Sequence, residues 1–144
     1  MHLERQITEA IGYHQHIKAQ MGEAVATGQS HHTVARLCQD DQCKLGQWLY
    51  QLDEPVKSTH RWKCARDLHA DYHREAARVL GLALAGNAAQ ARAATCYSSA
   101  YAGIARRFEA ELVVWKKEAA TAPSAAWSGT MVLAAKNPLA GFAS

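Results

Sequence analysis

Residues 56–84, VKSTHRWKCARDLHADYHREAARVLGLAL, contain the strongest structural signal in this chain. Apolar and aromatic side chains recur there at steps of three and four residues, which places them on one face of an α-helix. The stripe consists of Trp62, Ala65, His69, Tyr72, Ala76, Leu80 and Ala83. Gly86 and Asn87 follow it and are typical of a helix end. The segment therefore predicts a long helix, up to about Leu84, with one buried face.

The same helical period occurs on both sides of this segment. From about Leu3 to Ala26 one face carries Ile7, Ile11, His14, Met21 and Val25, and Gly28 ends that run. After Asn87 the pattern predicts a last long helix whose inner face carries Ala93, Tyr97, Ala100, Ile104, Phe108, Leu112 and Trp115. Both runs have the length and period of bundle helices.

Two shorter helices are predicted between the first and second long runs. Ser30 is suited to cap a helix that continues to Cys38, because its side chain can accept a hydrogen bond from the first turn. Asp40 and Asp41 then begin another short helix, from Gln42 to Tyr50. Because strand signals are missing, the chain is predicted to be all-α, an antiparallel four-helix bundle with a short extra helix between the first and third long segments.

The bundle is predicted to occupy residues 1–120, which is enough chain to bury a core. Residues 121–144 differ in composition, because they are rich in alanine, serine and glycine, contain Pro123 and Pro138, and show no sustained period. This composition favours a flexible tail. Its apolar residues, which include Trp127 and Phe142, leave open that it docks on a neighbouring subunit or partner.

Charge and hydropathy argue against two classes of protein. The net charge is only +3, and the densest basic group is Arg106, Arg107, Lys116 and Lys117, so a nucleic-acid partner has little electrostatic support. No apolar run approaches the ~18 residues that a membrane span needs. The N-terminus also lacks a signal peptide, so a reducing cytoplasm is expected, with the four cysteines as free thiols rather than disulfides.

Histidines on the inner helix faces are the first candidate ligands. His69 and His73 are four residues apart, so their rings point the same way from one helix and can share a metal ion. His14 lies on the inner face of the first helix, whereas His16 is rotated from it by about 200°. A single histidine on an apolar face is more often a hydrogen-bonded core residue than a ligand. Several that converge favour a metal site.

Cys43 is the favoured thiol ligand. If Asp40 caps the short helix, Cys43 is its third residue, where the helix dipole lowers a thiol pKa and favours the thiolate. Cys38 is the alternative, although it precedes a turn, and Cys64 and Cys96 are expected to fill core or groove space. His14, Cys43, His69 and His73 would complete the tetrahedral shell of a zinc ion, Zn²⁺. Since such a shell has no open position for substrate water, no catalytic residues and no enzyme activity are predicted.

Three stretches carry a resemblance to a known family. They are residues 10–18, AIGYHQHIK, residues 41–50, DQCKLGQWLY, and residues 69–77, HADYHREAA. They resemble the chemoreceptor zinc-binding domain family, abbreviated CZB. Its pattern is a histidine followed by a tryptophan–lysine pair, then C-x-L-G-x-W-L-Y, then H-x-x-x-H-x-x-A-A. The likeness covers roughly residues 7–115, and Ile17 stands where the family usually has tryptophan.

The resemblance implies that His14, Cys43, His69 and His73 bind zinc, the same four residues that the helix faces favour. It also implies a cytoplasmic sensor of zinc or of oxidants such as hypochlorous acid, and a homodimer. Because this chain carries no recognisable output domain, its signal is expected to pass through contact with an unknown signalling protein. Independently of the resemblance, two interpretations stay open for Asp41 and Asp71, which either accept a hydrogen bond from a ligand imidazole or lie exposed at the surface.

Other functions remain open at this point. A zinc-buffering or purely structural zinc bundle would have the same ligands as a sensor. A metal-dependent enzyme would need one of the four ligands to be absent and a general base such as Glu75. A di-iron enzyme would need Glu-x-x-His pairs, and the chain has none. Covalent haem attachment is excluded because the chain has no C-x-x-C-H motif, whereas noncovalent haem bound to a histidine remains open.

Overall fold

The computed structural model describes residues 2–121 as seven helices. Their bounds are α1 His2–Thr27, α2 Val34–Leu37, α3 Lys44–Gln51, α4 Glu54–Lys57, α5 His60–Leu84, α6 Ala88–Ala94 and α7 Ala100–Thr121. No strand occurs in this part of the chain, so the all-α prediction is confirmed. The predicted tail lies outside the described residues from residue 122 onward.

The three long helices, α1, α5 and α7, contact one another pairwise, and α5 packs most extensively against α7. The short helices α2 and α3 lie between α1 and α5 in sequence, as predicted, and both contact α5. Within residues 2–121 there is no fourth long helix, so the four-helix arrangement stays a prediction. None of these helices has the length and apolar character needed to cross a membrane.

Glycine ends the two helices where the sequence predicts it. Gly28 follows α1 with φ 73°, and Gly86 follows α5 with φ 83°. Both values lie in the left-handed region that a residue without Cβ adopts at low cost. The N-terminal caps of the short helices differ from the prediction. Thr33, not Ser30, caps α2 by accepting from the N–H of Arg36, and Cys43 itself, not Asp40, is the N-cap of α3.

The prediction of one continuous last helix is wrong, because residues 95–99 interrupt it and divide it into α6 and α7. Beyond the break, Phe108, Leu112 and Trp115 are buried, as expected of the inner face. Tyr97 is instead 78% exposed and stacks on the Arg106 guanidinium at 3.9 Å. A helical stripe keeps its face only while the helix is continuous, so the interruption removes Tyr97 from the inner face.

Two apolar clusters fill the core and leave a polar layer between them. One cluster contains Ala10, Ala65 and Phe108, and the other contains Ile17, Ala76 and Ala105. Three buried histidines lie between these positions along the helices: His14, His69 and His73, which we call the histidine layer. The packing of three long helices therefore holds three imidazoles inside the protein, at the level where α3 begins.

Candidate metal centre

The histidine layer and the start of α3 meet at one point. His69 and His73 project from successive turns of α5, and their ring centroids are 4.5 Å apart. Cys43 reaches the same point because it is the N-cap residue immediately before α3. The exposed fractions of His14, His69 and His73 are only 2%, 2% and 3%, so solvent does not satisfy these rings. His16 is exposed, as the helix geometry predicts.

The donor atoms of Cys43, His69 and His73 converge at distances that suit one metal ion. Cys43 Sγ lies 3.4 Å from His69 Nε2 and 3.3 Å from His73 Nε2. The two Nε2 atoms are 3.1 Å apart. Zinc bonds of ~2.0 Å to nitrogen and ~2.3 Å to sulfur at tetrahedral angles give edges of about 3.3 Å and about 3.5 Å. The three atoms thus form one face of a tetrahedron of nearly the required size, and they can hold a metal ion.

The hydrogen bonds of His73 leave its Nε2 lone pair facing this group. His73 Nδ1 lies 2.7 Å from the carbonyl oxygen of Leu37, which can only accept, so the proton is on Nδ1. Burial lowers the pKa of His73, although the Leu37 carbonyl opposes the shift. The ring is therefore neutral near pH 7. A neutral imidazole with one fixed N–H and one free lone pair is the form that ligates metals.

His69 has a buried ring nitrogen that no protein group satisfies. Its Nδ1 has no hydrogen-bond partner among the described residues, and the nearest carboxylate oxygen, Asp40 Oδ2, is 4.0 Å away. Burial first, and the neighbouring His73 and His14 next, hold the pKa of His69 well below its usual value. Such an unsatisfied group costs about 1–3 kcal/mol. A cation at Nε2 would place the proton on Nδ1, on the side of the Asp40 carboxylate, which is the arrangement of a ligand imidazole with an acidic outer partner.

The thiol of Cys43 differs from the expectation in its acidity. The backbone N–H of Gly46 donates to Cys43 Sγ at 3.2 Å, as expected at a helix start. Burial nevertheless raises the pKa of Cys43 to about 11, and the N–H groups of Gly46 and Leu45 only partly oppose this. Desolvation of the thiolate therefore outweighs the helix terminus. The protein alone holds a neutral thiol here.

His14 lies in the same layer but is not among the three convergent donors. Its Nε2 is 3.2 Å from Glu109 Oε2 on α7. Glu109 also accepts from Lys18 and Gln15, and these bonds, that from His14 foremost, lower the pKa of Glu109 to about 2. An ionised carboxylate accepts the Nε2 proton, which leaves Nδ1 with the lone pair. The edges of the His14 ring pack against Tyr72 and Phe108, which restricts its rotation.

A small cavity connects all four predicted ligands. Its volume is about 10 Å³, and His14, Cys43, His69 and His73 all line it, together with the side chain of Tyr72. That volume corresponds to roughly one water-sized sphere. The structure thus brings three predicted ligands into direct contact and places the fourth at the wall of the same cavity.

The expected outer partners of the imidazoles are different residues. Asp71 forms an ion pair with Arg74 and Asp41 accepts from Gln42, rather than either bonding to one of the predicted ligand histidines. Instead Leu37, Asp40 and Glu109 face His73, His69 and His14. Composition and periodicity gave no sign of Leu37, since it acts through its backbone. Glu109 was also missed, although its position next to the inner-face residue Phe108 could have suggested that its carboxylate reaches the histidine layer.

The other cysteines lie away from the donor group. Cys38 and Cys96 are exposed, and all four thiols are free. Cys96 lies in the interruption between α6 and α7, so it does not fill the core as expected. Cys64 is half-buried, with its Sγ 3.2 Å from His60 Nε2 on the same helix. Glu75, the general base of the enzyme alternative, binds Arg78 and is not among the residues that line the small cavity.

No family model, no curated protein and no solved structure matches this chain. The case for a metal centre therefore depends on the donor distances, the burial and the hydrogen bonds of these residues. These features support a site for a metal ion.

Proposed function

We propose that this protein is a zinc-binding regulatory domain with His14, Cys43, His69 and His73 as ligands. The observation that carries the proposal is the convergence of Cys43 Sγ and the Nε2 atoms of His69 and His73 within 3.1–3.4 Å of one another, in a buried layer. Without a cation this arrangement packs a thiol and two neutral imidazoles together, and among the described residues His69 Nδ1 has no hydrogen-bond partner. A bound cation would turn Cys43 Sγ and the two Nε2 atoms into ligands.

The donor set favours zinc over other common cations. Thiolate and imidazole suit zinc, whereas magnesium and calcium select carboxylate and carbonyl oxygens. His14 supplies the fourth donor through Nδ1, since Glu109 binds Nε2. Four protein donors close the coordination shell, which favours a structural or regulatory site over a hydrolase. A hydrolytic enzyme is the less favoured candidate, because it needs an open position and a general base.

A regulatory role is supported by where the ligands come from. They belong to α1, to the start of α3 and to α5, so the bound ion adds a connection between helices that packing and hydrogen bonds, such as Trp48 Nε1 to Gln6 Oε1, also join. Removal of zinc would loosen α1 and α3 against α5. Oxidation of Cys43 would have the same effect, because a sulfenic or sulfinic acid is a poor donor. Zinc loss and oxidation would thus act through one residue.

The resemblance to the CZB family supplies the rest of the proposal. A cytoplasmic sensor of this kind would form a homodimer and pass its signal to another protein by contact. A structural or zinc-buffering bundle is the rival, and affinity separates the two. A dissociation constant near free cytosolic zinc favours sensing, whereas much tighter binding that no oxidant disturbs favours a structural role.

Zinc is expected to stabilise the protein strongly. Free zinc at about 1000 times its dissociation constant adds about 4 kcal/mol to the free energy of unfolding. For a protein of this size that corresponds to a rise in Tm of ~10–15 °C. The measurement is the Tm of the chelator-treated protein before and after zinc is added, with bound metal determined by elemental analysis. One zinc per chain is expected.

Magnesium is the matched control, because the donors lack the oxygen ligands that it needs. Added magnesium should leave the Tm of the chelator-treated protein unchanged. If zinc also leaves the Tm unchanged, or if metal content stays near zero after zinc is added and excess is removed, the proposed function is wrong.

His14→Ala is expected to weaken zinc binding by at least about 100-fold, the upper end of what loss of an outer partner costs, while one metal ion still binds through the three remaining donors. In the cobalt-substituted protein, the absorption of a four-coordinate protein shell should change as a solvent ligand replaces the imidazole. The matched control is His16→Ala, two residues away on the exposed face of α1. Equal zinc affinity in the two variants would show that His14 is not a ligand.

A further inference from the structure

Three cavities share lining residues, and we call the one that no donor lines the outer cavity and its neighbour, lined by Cys43 and His73, the inner cavity. The outer cavity has a volume of about 340 Å³ and is lined by polar side chains that include Glu23, His31 and His32. The inner one is about 90 Å³, and His32 also lines it, together with Cys43 and His73. The smallest, about 10 Å³, shares Cys43 and His73 with the inner cavity. Neighbouring cavities therefore have walls in common.

Along α1 and α5 the surroundings offer a cation little way in, although the Glu109 carboxylate beside His14 is partly exposed. The histidine layer lies between two apolar clusters along α1 and α5, and apolar walls do not solvate an ion. The inner cavity differs in part, because Arg36, Gln39 and Gln42 line it beside the apolar residues Ile17 and Leu37. His32, at the wall that the first two cavities share, is half-buried, and its Nε2 lies 2.6 Å from Gln20 Oε1.

We propose that these cavities are the route by which a divalent cation passes between solvent and the donors Cys43 and His73. The inference depends on the proposed function, since a route has a purpose only if the site binds metal. A buried site needs such a path for loading and release. Glu23 and His31 place potential oxygen and nitrogen ligands at the outer end, and Gln39 and Gln42 line the inner cavity.

Arg36 also lines the inner cavity, and its charge opposes a passing cation. A substitution of Arg36 that changes its charge therefore distinguishes a route for cations from a route for anions or neutral molecules. A reversed charge at position 36 should speed cation uptake and slow anion entry. Salt should suppress both effects, because screening weakens an interaction at an exposed position.

The test is a pair of tryptophan substitutions. Gln39→Trp places a large ring at the inner cavity, and Gln39 is an exposed residue outside the donor group. Gln47→Trp is the matched control, since Gln47 is exposed on α3 and lines none of the three cavities. We expect Gln39→Trp to slow both zinc uptake by the metal-free protein and zinc removal by a chelator at least tenfold. Stoichiometry should stay at one zinc per chain, and Gln47→Trp should stay within twofold of the unmodified protein.

Equal uptake rates in Gln39→Trp and Gln47→Trp, with zinc bound in both, would overturn the route while leaving the proposed function intact. If neither the variants nor the unmodified protein bind zinc, the proposed function itself is wrong. Arg36→Glu gives an independent measurement that does not depend on a bulky side chain. We expect faster zinc uptake at low salt and no difference at high salt, and slower or unchanged uptake at low salt would contradict a cation route.

Discussion

Cys43→Ser is expected to lose tight zinc binding, with affinity reduced at least about 1000-fold, beyond the ~10–100-fold that loss of an outer partner costs. The hydroxyl does not ionise near neutral pH and is a poor replacement for a thiolate donor. The fold should remain, because Cys43 is the N-cap of α3 and serine is a favoured N-cap residue. The variant therefore separates metal binding from helix formation. The measurement is a competition titration with a chromophoric chelator, with helix content followed by circular dichroism.

Cys64→Ser is the matched control for this substitution. Cys64 is also a partly buried thiol close to a histidine, but that pair lies on one helix at α5 and outside the donor group. Its removal should leave both zinc affinity and stoichiometry unchanged. If Cys43→Ser keeps the affinity of Cys64→Ser, the thiol at residue 43 is not a ligand. The thiol alternative raised by the sequence, Cys38, can be tested in the same titration.

Gly46→Ala is expected to destabilise the metal-free protein by about 1–3 kcal/mol or more, the cost of overpacking, and to impair zinc binding. A Cβ at residue 46 would overlap the carbonyl oxygen of Asp40. It would also lie 2.9 Å from the carbonyl carbon of Asp40 and 3.1 Å from His69 Cε1. Backbone atoms cannot rotate away as a flexible side chain does, so the clash must displace the start of α3. That displacement would move Cys43, whose Sγ accepts from the N–H of residue 46.

Gly22→Ala is the control for the change from glycine to alanine itself. Gly22 lies within α1, and a Cβ there meets nothing within 4 Å. Because alanine is more favourable than glycine in a helix interior, the free energy of unfolding of this variant should rise by up to about 1 kcal/mol. Urea unfolding of the two chelator-treated variants measures the contrast. If both variants change stability by the same amount, the close approach of α3 to Asp40 is not what requires glycine at residue 46.

Gly46 also shows how far the sequence could be read. It belongs to the C-x-L-G stretch that carries the family resemblance, but nothing in the helical pattern explains a glycine within a short helix. The structure supplies the reason, which is lack of space beside Asp40 and His69. The backbone does not have positive φ there, so a turn signal would not have identified this position.

The same division applies to the helices and the ligands. The period of α1 and α5, their glycine ends and the inward direction of His14 were predictable, since they depend on neighbours within four residues. The interruption at residues 95–99 was not predictable, and Tyr97 was wrongly placed on the inner face. The raised pKa of Cys43 was also not predictable, because it depends on how deeply the packed helices bury the thiol.

By itself, the sequence determined that the described chain is helical and that His14, Cys43, His69 and His73 are the residues to consider. Only the tertiary structure decided that three of these donors converge, that Asp40, Glu109 and the Leu37 carbonyl face the imidazoles, and that Cys43 and His73 line two small cavities. The physical reason is range. Helix period and helix ends arise from local backbone geometry. The His14–Glu109 and His73–Leu37 contacts instead join residues 95 and 36 positions apart, so they form only when whole helices pack together.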